Sequence, residues 1–307
     1  MKAIAMGVHV LDVLVRPVER IPEGQGGDLV EQIKVTAAGS AGGFALVLSR
    51  LGAEVRSAGA IGSDAAGEML VSLLERDNVD TSLLVRRTDV QTSASVLPIR
   101  PNGDRPALHV VGANGSYTLD DVPWDALADC THFHLGGPEF IGGEVAAQIL
   151  SRARSEGAVT SADILAGGEG ILEWIGAALP ELDYLTPNDD QVLALTGKTD
   201  LIEGCRELVS RGVGCVAATR GADGVVIVDA DGDESVPAFE IEVVDTTGCG
   251  DAFSAGFLRG LSLGRSRREA AVLGCAVAAQ VAQGLGTDHG DYDLASVEEF
   301  ASTRGRG

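Results

Sequence analysis

A glycine-rich turn in the C-terminal third of the chain contains the residues whose types and spacing could do chemistry. Gly248, Cys249 and Gly250 follow an apolar strand end and two threonines, and Asp251 comes directly after them. Glycine allows positive φ and close approach of the backbone, so the N–H groups of this turn can point together at one anion. A carboxylate beside that anion is suited to accept the proton of an attacking hydroxyl group. The turn therefore predicts phosphoryl transfer, with phosphate held by the backbone and Asp251 as base.

A helix must hold this turn in place, and the residues after Asp251 predict one. Thr247 is available as its N-cap, and a helix N-terminus carries roughly half a positive charge that favours an anion. Glycine-rich strand-to-helix turns also occur in α/β proteins for packing alone, so a bare Gly-x-Gly-Asp pattern leaves both interpretations open. The apolar residues at helical spacing are Phe253, Phe257, Leu258 and Leu261.

The whole run over residues 243–258, VVDTTGCGDAFSAGFL, resembles the DTTGAGDAF motif of the PfkB, or ribokinase-like, carbohydrate kinase family. The resemblance implies that Gly248, Cys249 and Gly250 form an anion hole for the transferred phosphoryl group and that Asp251 deprotonates a sugar hydroxyl. Cys249 stands where the family has alanine. Because both side chains are small, we expect the anion hole to be kept, with a thiol that adds sensitivity to oxidation.

Bulk composition limits the class of protein. The 307 residues, 45% of them hydrophobic, can bury the core of one large α/β domain over 1–307. Five scattered cysteines without metal-binding spacing indicate reducing, cytoplasmic surroundings. A net charge of −22 predicts that neither nucleic acid nor an anionic membrane is a partner. The apolar runs are too short for a signal peptide or a membrane span.

Strands and helices alternate over most of the chain, which indicates a mostly parallel central sheet with helices on both faces. Glu139 and Asp163 follow two predicted strands and lie at the rim where open α/β sheets bind ligands. Two β-rich pieces interrupt the alternation, at about 13–36 and 90–111, the second around a Pro-Asn-Gly-Asp turn. The resemblance implies that they form a small sheet, a lid that covers the acceptor, excludes water and pairs with a second subunit in a homodimer.

Residues on the acceptor side come from three parts of the chain. Asp12 resembles, in position, the family aspartate that accepts hydrogen bonds from sugar hydroxyls, and an ordinary turn acid is the alternative. Gly39, Gly42 and Gly43 precede a helix that ends at a Leu-Gly pair, and they allow either substrate approach or close helix packing. Asn114 matches a short family motif that reaches the substrate pocket.

Residues on the phosphate-donor side follow two further strands. Asn188 matches the family T-P-N-x-x-E segment, which organises magnesium and phosphate, whereas the glutamate position holds Gln191. An amide keeps an acceptor oxygen and loses the charge, so we expect altered metal affinity. Thr219, Gly221 and Gly224 resemble a family segment beside the nucleotide. The resemblance thus implies ATP and Mg²⁺ as cofactors.

Two other pairs bear on metal ions. The resemblance implies a monovalent cation such as K⁺ at Asp245 and Thr247, which would fix the anion hole. His132 and His134 lie two apart in a predicted strand without a third ligand at suitable spacing. For this pair we favour buried strand histidines over a metal site.

Together these features predict an ATP-dependent kinase that transfers the γ-phosphoryl group to a hydroxymethyl group of a sugar or sugar-like alcohol. A nucleoside kinase of the same family is the first alternative, because the asparagines of the family are absent at Val10 and Gly43. A sugar-binding relative without turnover is the second, because of Gln191. Arg100 and Arg105 in the lid turn either face solvent or recognise an acidic or phosphorylated sugar.

Overall fold

The computed structural model describes residues 1–101 and 103–303, so Asn102 of the predicted lid turn and the last four residues lie outside it. The strands are β1 (Lys2–Gly7), β2 (Val10–Arg16), β3 (Gln32–Ala38), β4 (Glu54–Gly62), β5 (Asp80–Arg87), β6 (Ala94–Pro98), β7 (Leu108–Val110), β8 (His132–Gly136), β9 (Val159–Asp163), β10 (Tyr184–Leu185), β11 (Cys215–Thr219), β12 (Val225–Asp229) and β13 (Gly232–Val236). The α-helices are α1 (Gly42–Arg50), α2 (Ala65–Arg76), α3 (Trp124–Leu127), α4 (Pro138–Ile141), α5 (Gly143–Ser155), α6 (Ile171–Trp174), α7 (Asp189–Thr196), α8 (Leu201–Ser210), α9 (Cys249–Ser262), α10 (Arg267–Ala282) and α11 (Leu294–Thr303).

A nine-stranded sheet forms the body, in the order β13-β12-β11-β10-β9-β8-β1-β4-β5. Its strands pair in parallel from β5 to β11, and the β12–β13 hairpin continues the sheet with antiparallel pairs. This is the mostly parallel central sheet that the alternation of strands and helices predicts.

Strand β1 shows how the sheet separates two cores. Its side chains alternate between faces: Ala3 and Ala5 pack with α1, α9 and α10, whereas Ile4 and Met6 pack with α5, α7 and α8. Because both faces are covered, the strand is apolar throughout rather than alternating. The helices therefore lie on both faces of the sheet, as predicted.

The smaller sheet, which we call the lid, has the order β3-β2-β6-β7. Asp12 in β2 lies opposite Thr36 in β3 and Ser95 in β6, so these polar residues share one face of the lid. Apolar side chains of the other face are exposed, among them Ile33 (63%) and Leu108 (64%). The lid thus presents a polar face and an apolar face.

Local signals set the ends of the helices. Gly52, with φ +79°, follows the C-terminus of α1. The Ser266 hydroxyl caps α10 by accepting a hydrogen bond from the Glu269 N–H. Helix α9 packs tightly on α10 because both are narrow at the crossing: a Cβ on Gly256 would lie 2.8 Å from the Gly274 Cα. This packing fixes the helix that begins at the glycine-rich turn.

Candidate active site

Residues 245–251, which we call the anion turn, lead into helix α9. Gly248 is the N-cap residue, with φ +77°, and a Cβ there would lie 2.2 Å from the Thr287 Oγ1 atom. The prediction that Thr247 is the N-cap is wrong, because the Thr247 N–H and Oγ1–H both donate to Asp245 Oδ1, at 3.0 and 2.8 Å. The Thr247 hydroxyl, which a cap would use to accept a helix N–H, instead donates to the Asp245 carboxylate.

The backbone at the start of α9 is open. Gly250 is exposed, and a Cβ built on it would meet nothing within 4 Å among the described residues. The first N–H groups of a helix have no acceptors within the helix, so those of Gly250 and Asp251 are available to an anion. The open backbone is compatible with an anion hole at Gly248, Cys249 and Gly250, which stays a prediction.

The Asp251 carboxyl group lies against helix α1. A Cβ on Gly43 would come within 2.3 Å of Asp251 Oδ2, so only glycine leaves room for this carboxylate. Burial, and then the negative charge of Asp12, raises the pKa of Asp251 to about 7. A carboxylate with a pKa near neutrality is well matched to accept a proton from an alcohol.

A cleft of about 710 Å³ opens beside the anion turn. Cys249 and Gly250 line it at one end, while small residues of α10 line one wall. Three residues predicted on the phosphate-donor side, Thr219, Gly221 and Gly224, line it together. Its size is in the range of ligand pockets. We call it the nucleotide cleft.

The family model described as pfkB family carbohydrate kinase matches residues 6–293. This chain belongs to the pfkB family. Its kinship confirms the resemblance seen in the sequence, and it makes the protein a carbohydrate kinase, which is a phosphotransferase.

Two named relatives and one solved structure illustrate the range of the pfkB family. A 1-phosphofructokinase of Haloferax volcanii is 29% identical over 82% of this chain and 81% of its own. A nucleoside kinase of Methanothermobacter thermautotrophicus is 26% identical over 92% of this chain and 90% of its own. A ribokinase II candidate from E. coli, solved with ATP and Mg²⁺, superposes with a TM-score of 0.86 at 22% identity, covering 98% of this chain and 99% of its own. The last likeness confirms the ribokinase-like fold.

The acceptor-side residues of this pfkB protein differ in what they contact. Asp12 is buried on the polar face of the lid, and burial raises its pKa to about 6 against the opposing effects of Ser95 and Arg105. Asn114 is also buried, but its amide accepts from the His9 N–H at 3.1 Å and donates to the His9 carbonyl at 2.9 Å. Its observed role is to hold the β1–β2 connection, and a substrate contact stays a prediction.

The other predicted glycines lie close to backbone or to a ring. A Cβ on Gly39, where φ is +87°, would lie 2.5 Å from the Val8 carbonyl oxygen, and one on Gly42 would lie 3.3 Å from the His9 Cδ2 atom. Close packing accounts for both positions. Substrate approach to them stays a prediction.

Asn188 and Gln191 form the N-terminal capping box of α7. The Asn188 Oδ1 accepts from the Gln191 N–H, and the Gln191 Oε1 accepts from the Asn188 N–H, both at 2.8 Å. The Gln191 Nε2–H donates to the Ile164 carbonyl at 2.5 Å, which a glutamate could not do. The amide therefore has a structural use here. Asn188 lies beside Thr219 of the nucleotide cleft through a parallel bridge.

Glu139 and Asp163 are the site residues that sequence reasoning left as rim positions. Glu139 Oε2 and Asp163 Oδ1 are buried without a hydrogen-bond partner among the described residues. Burial, and then Asp251 and Glu139, raises the pKa of Asp163 well above its ordinary value. Strand pairing of β8 with β9 brings these carboxyl groups to one rim, close to Asp251. Their position after strand ends was the available signal.

The carboxyl groups of Glu139 and Asp163 suit Mg²⁺, which prefers oxygen ligands and needs only one or two carboxylates when it is bound together with phosphates. Over the described ranges, no group of three or more His, Cys, Asp or Glu side chains could hold a metal ion by itself. These two carboxyl groups therefore suit a metal ion that binds together with a nucleotide.

The described ranges, 1–101 and 103–303, also contain no helix long and apolar enough to cross a membrane.

The surroundings of His134 and Cys249 favour the uncharged form of each side chain, which suits neither proton transfer nor nucleophilic attack. The His134 Nδ1 lies 3.0 Å from the Ser161 Oγ, its ring stacks on Phe44, and burial lowers its pKa to about 3. Burial, and then Asp245, raises the pKa of the Cys249 thiol to about 12. The expected sensitivity of Cys249 to oxidation does not match a thiol that stays protonated.

The predicted monovalent-cation site at Asp245 and Thr247 does not fit a bound K⁺. The Asp245 side chain has no exposed surface; its Oδ1 accepts both donors of Thr247, and its Oδ2 accepts the Gly286 N–H at 2.9 Å. A guanidinium nitrogen of Arg105 lies 2.7 Å from Thr247 Oγ1 and 3.8 Å from Asp245 Oδ1. The oxygens that a cation would bind are already engaged by hydrogen-bond donors and by a protein cation.

Proposed function

We propose that the protein transfers the γ-phosphoryl group of ATP to a hydroxymethyl group of a sugar or sugar-like alcohol. One observation carries the proposal. Asp251, with its pKa raised to about 7, directly follows Gly250, which lines the nucleotide cleft at the N-terminus of α9. Base, anion site and cleft thus occur together at one turn.

Each part of the site has a step to perform. Asp251 accepts the proton of the acceptor hydroxyl as the hydroxyl oxygen attacks the γ-phosphorus atom of ATP, and the bond from this phosphorus to the β–γ bridging oxygen breaks to release ADP. The N–H groups of Gly250 and Asp251 bind the migrating phosphoryl group, where α9 favours negative charge. Mg²⁺ bound with ATP near Asp163 and Glu139 would screen the charge of the phosphates. The lid keeps water from competing with the acceptor.

Acceptor recognition is assigned to the polar face of the lid. Asp12 lies there, and its carboxylate can accept hydrogen bonds from neighbouring hydroxyls of a sugar. Gly43 adds no side chain to the pocket, and the space that a Cβ would fill is occupied by the Asp251 carboxylate, which is thereby kept in place for the acceptor. We retain Gly39, Gly42 and Asn114 as residues that shape this pocket through the backbone.

A nucleoside kinase is the second candidate. The relative from Methanothermobacter thermautotrophicus, which is named a nucleoside kinase, matches over 92% of this chain. Val10 and Gly43 lack the amides that a ribose-binding relative would present. A sugar-binding relative without turnover is a weaker candidate, because the base and the open anion turn are both present.

A homodimer through the lid is also proposed. The outer face of the lid is apolar, and an exposed apolar patch of this kind is typical of an interaction surface. Strand register places the side chains of this face next to one another. Its exposed members are Ile33, Val35, Val96, Leu108 and Val110.

The five cysteines, all free, agree with the cytoplasmic location, which stays a prediction.

The decisive experiment measures ADP release from ATP and Mg²⁺ with a panel of acceptors: free sugars, sugar acids, phosphorylated sugars and nucleosides. Asp251→Asn keeps the size of the side chain and removes the base, so we expect kcat to fall by about 10²–10⁴-fold. The same variant should melt at or above the wild-type temperature, because it removes a buried carboxyl group.

Two results would change the assignment. Equal turnover of the wild type and Asp251→Asn would remove Asp251 as the base. If the wild type releases no ADP with any acceptor but its melting temperature rises with a sugar, binding without catalysis becomes the better description. The acceptor with the highest kcat/KM separates the sugar kinase from the nucleoside kinase.

A further inference from the structure

The buried carboxylate of Asp245 needs positive charge nearby. Its side chain is fully buried beneath the anion turn, and it accepts hydrogen bonds from three donors that carry no net charge. A buried charge without a partner is costly, so a cation has to stand close to it. Since these oxygens do not fit a bound K⁺, the cation must come from the chain.

Arg105 supplies one such charge from the lid. It lies in the β6–β7 connection, far along the chain from the anion turn, yet its Nη1–H donates to Thr247 Oγ1 at 2.7 Å. The guanidinium stands 3.8 Å from Asp245 Oδ1, and its charge also lowers the pKa of Asp12 and of Cys249 against the larger effect of burial. Arg105 thus lies over the outer side of the anion turn.

Lys34 contacts the other segment that holds Asp245, residues 284–290, which we call the support loop. This loop carries the Gly286 N–H that donates to Asp245 and the Thr287 side chain that packs on Gly248. Lys34 in lid strand β3 donates to the Leu285 carbonyl at 2.6 Å. Its ammonium group also forms an ion pair with Asp288 at 2.7 Å.

The two contacts have a common origin. Lys34 lies in β3 and Arg105 in the β6–β7 connection of the lid, and they contact the support loop and the anion turn. These two segments touch each other through Gly286 and Thr287. The Lys34 ammonium bridges a carbonyl oxygen and a carboxylate oxygen, which is the kind of ligand set that a hard monovalent cation takes. The lid therefore holds the anion turn with its own charges.

We propose that Lys34 and Arg105 are positioning residues that replace a bound monovalent cation, so that this kinase does not need K⁺. The inference rests on the proposed phosphoryl transfer. Because both charges are carried by the lid, the anion turn is held in its working geometry only when the lid is in place.

The test compares rates and melting temperatures in KCl, NaCl and tetramethylammonium chloride at one ionic strength. We expect equal values in the three salts for the wild type. Lys34→Met should lose about tenfold in kcat in tetramethylammonium, with little change in the KM for ATP, because anion-hole geometry acts on the transition state. K⁺ should bind the oxygens left by Lys34, raise the melting temperature of this variant and restore part of its kcat.

Arg105→Met and Lys2→Met complete the design. Arg105→Met should lower kcat in every salt, and its side chain is 34% exposed, so the fold should be kept. Lys2 forms a surface ion pair with Asp129, and Lys2→Met should change neither rate nor salt response. A several-fold rise of the wild-type rate or melting temperature in K⁺ overturns the proposal, as do variants with wild-type kcat in all salts. If the wild type proves inactive, the kinase proposal fails, while the melting temperatures still decide whether Lys34 replaces K⁺.

Discussion

Replacing Gly43 by alanine tests the placement of the base with one methyl group. The new Cβ would lie 2.3 Å from Asp251 Oδ2, 3.0 Å from its Cγ and 3.2 Å from the Thr287 Cγ2, whereas ordinary contacts begin at 3.4 Å. The carboxylate must therefore move by about 1 Å. A displacement of that size at a reacting group can cost about 100-fold in rate, or about 2.7 kcal/mol of transition-state stabilisation.

The assay separates this effect from a loss of folded protein. Gly43 lies in helix α1, where alanine favours the helix by about 1 kcal/mol over glycine. We therefore expect kcat to fall about 100-fold while the melting temperature changes little, because the helical gain offsets part of the crowding. Gly176→Ala is the matched control: a Cβ there would meet nothing within 4 Å of the described residues, so kcat should stay at the wild-type value.

An unchanged kcat in Gly43→Ala would refute the reasoning. It would mean either that Asp251 does not act from the position against α1 or that the proton is taken by another group. If the melting temperature falls so far that the loss of folded protein accounts for the loss of rate, the methyl group disturbs the fold and not the position of the base.

Three further changes test other parts of the site. Because Asp251 must be ionised to act as base, kcat/KM should rise with pH through about 7. Asp12→Asn removes a charge that raises the Asp251 pKa, so the rise of kcat/KM should occur at lower pH in the rate profile of this variant. Gln191→Glu should lower the free energy of unfolding by about 1–3 kcal/mol in urea titrations, since a glutamate cannot donate to the Ile164 carbonyl. Leu108→Lys should turn a dimer into monomers in sedimentation experiments, because it places charge on the apolar face of the lid.

Each of these outcomes has a counterpart. Gln148 is an exposed amide of α5, and Gln148→Glu should leave the unfolding free energy within about 0.5 kcal/mol of the wild type. The role of Asp12 would be contradicted by an acid limb that stays in place in Asp12→Asn. The contribution of Asp251 to stability should also fall as pH rises from 3.8 towards 7, because the folded state holds the Asp251 proton more tightly than the unfolded chain does; the difference in unfolding free energy between wild type and Asp251→Asn measures it.

Local patterns were enough to predict the fold and the family. Alternation of strands and helices predicted the parallel sheet, and the run through Asp251 predicted the family. Both depend on neighbours in sequence: a strand end, a turn that requires glycine and a helix with a regular apolar spacing. The pattern could also place Glu139 and Asp163 at the rim of the sheet.

The hydrogen-bond partners of single side chains were beyond the reach of these patterns. Thr247 has the right type and position for an N-cap, yet a neighbouring buried carboxylate takes its hydroxyl. In the sequence Arg105 is an arginine in a turn, and only the packing of the lid on the body brings it to Thr247. Asn114 matches a motif but spends its amide on the backbone of His9. In each case a hydrogen bond to a distant or buried partner decides the role, and spacing along the chain does not encode that partner.

The exposed connection between β2 and β3 has a practical consequence. Residues 23–29 are all exposed, and the strands on either side carry Asp12 and Lys34. Such surface connections tolerate inserted sequence well. A fluorescent reporter domain placed there would be joined to both of these strands, so its emission would show in living cells whether the lid moves when an acceptor binds.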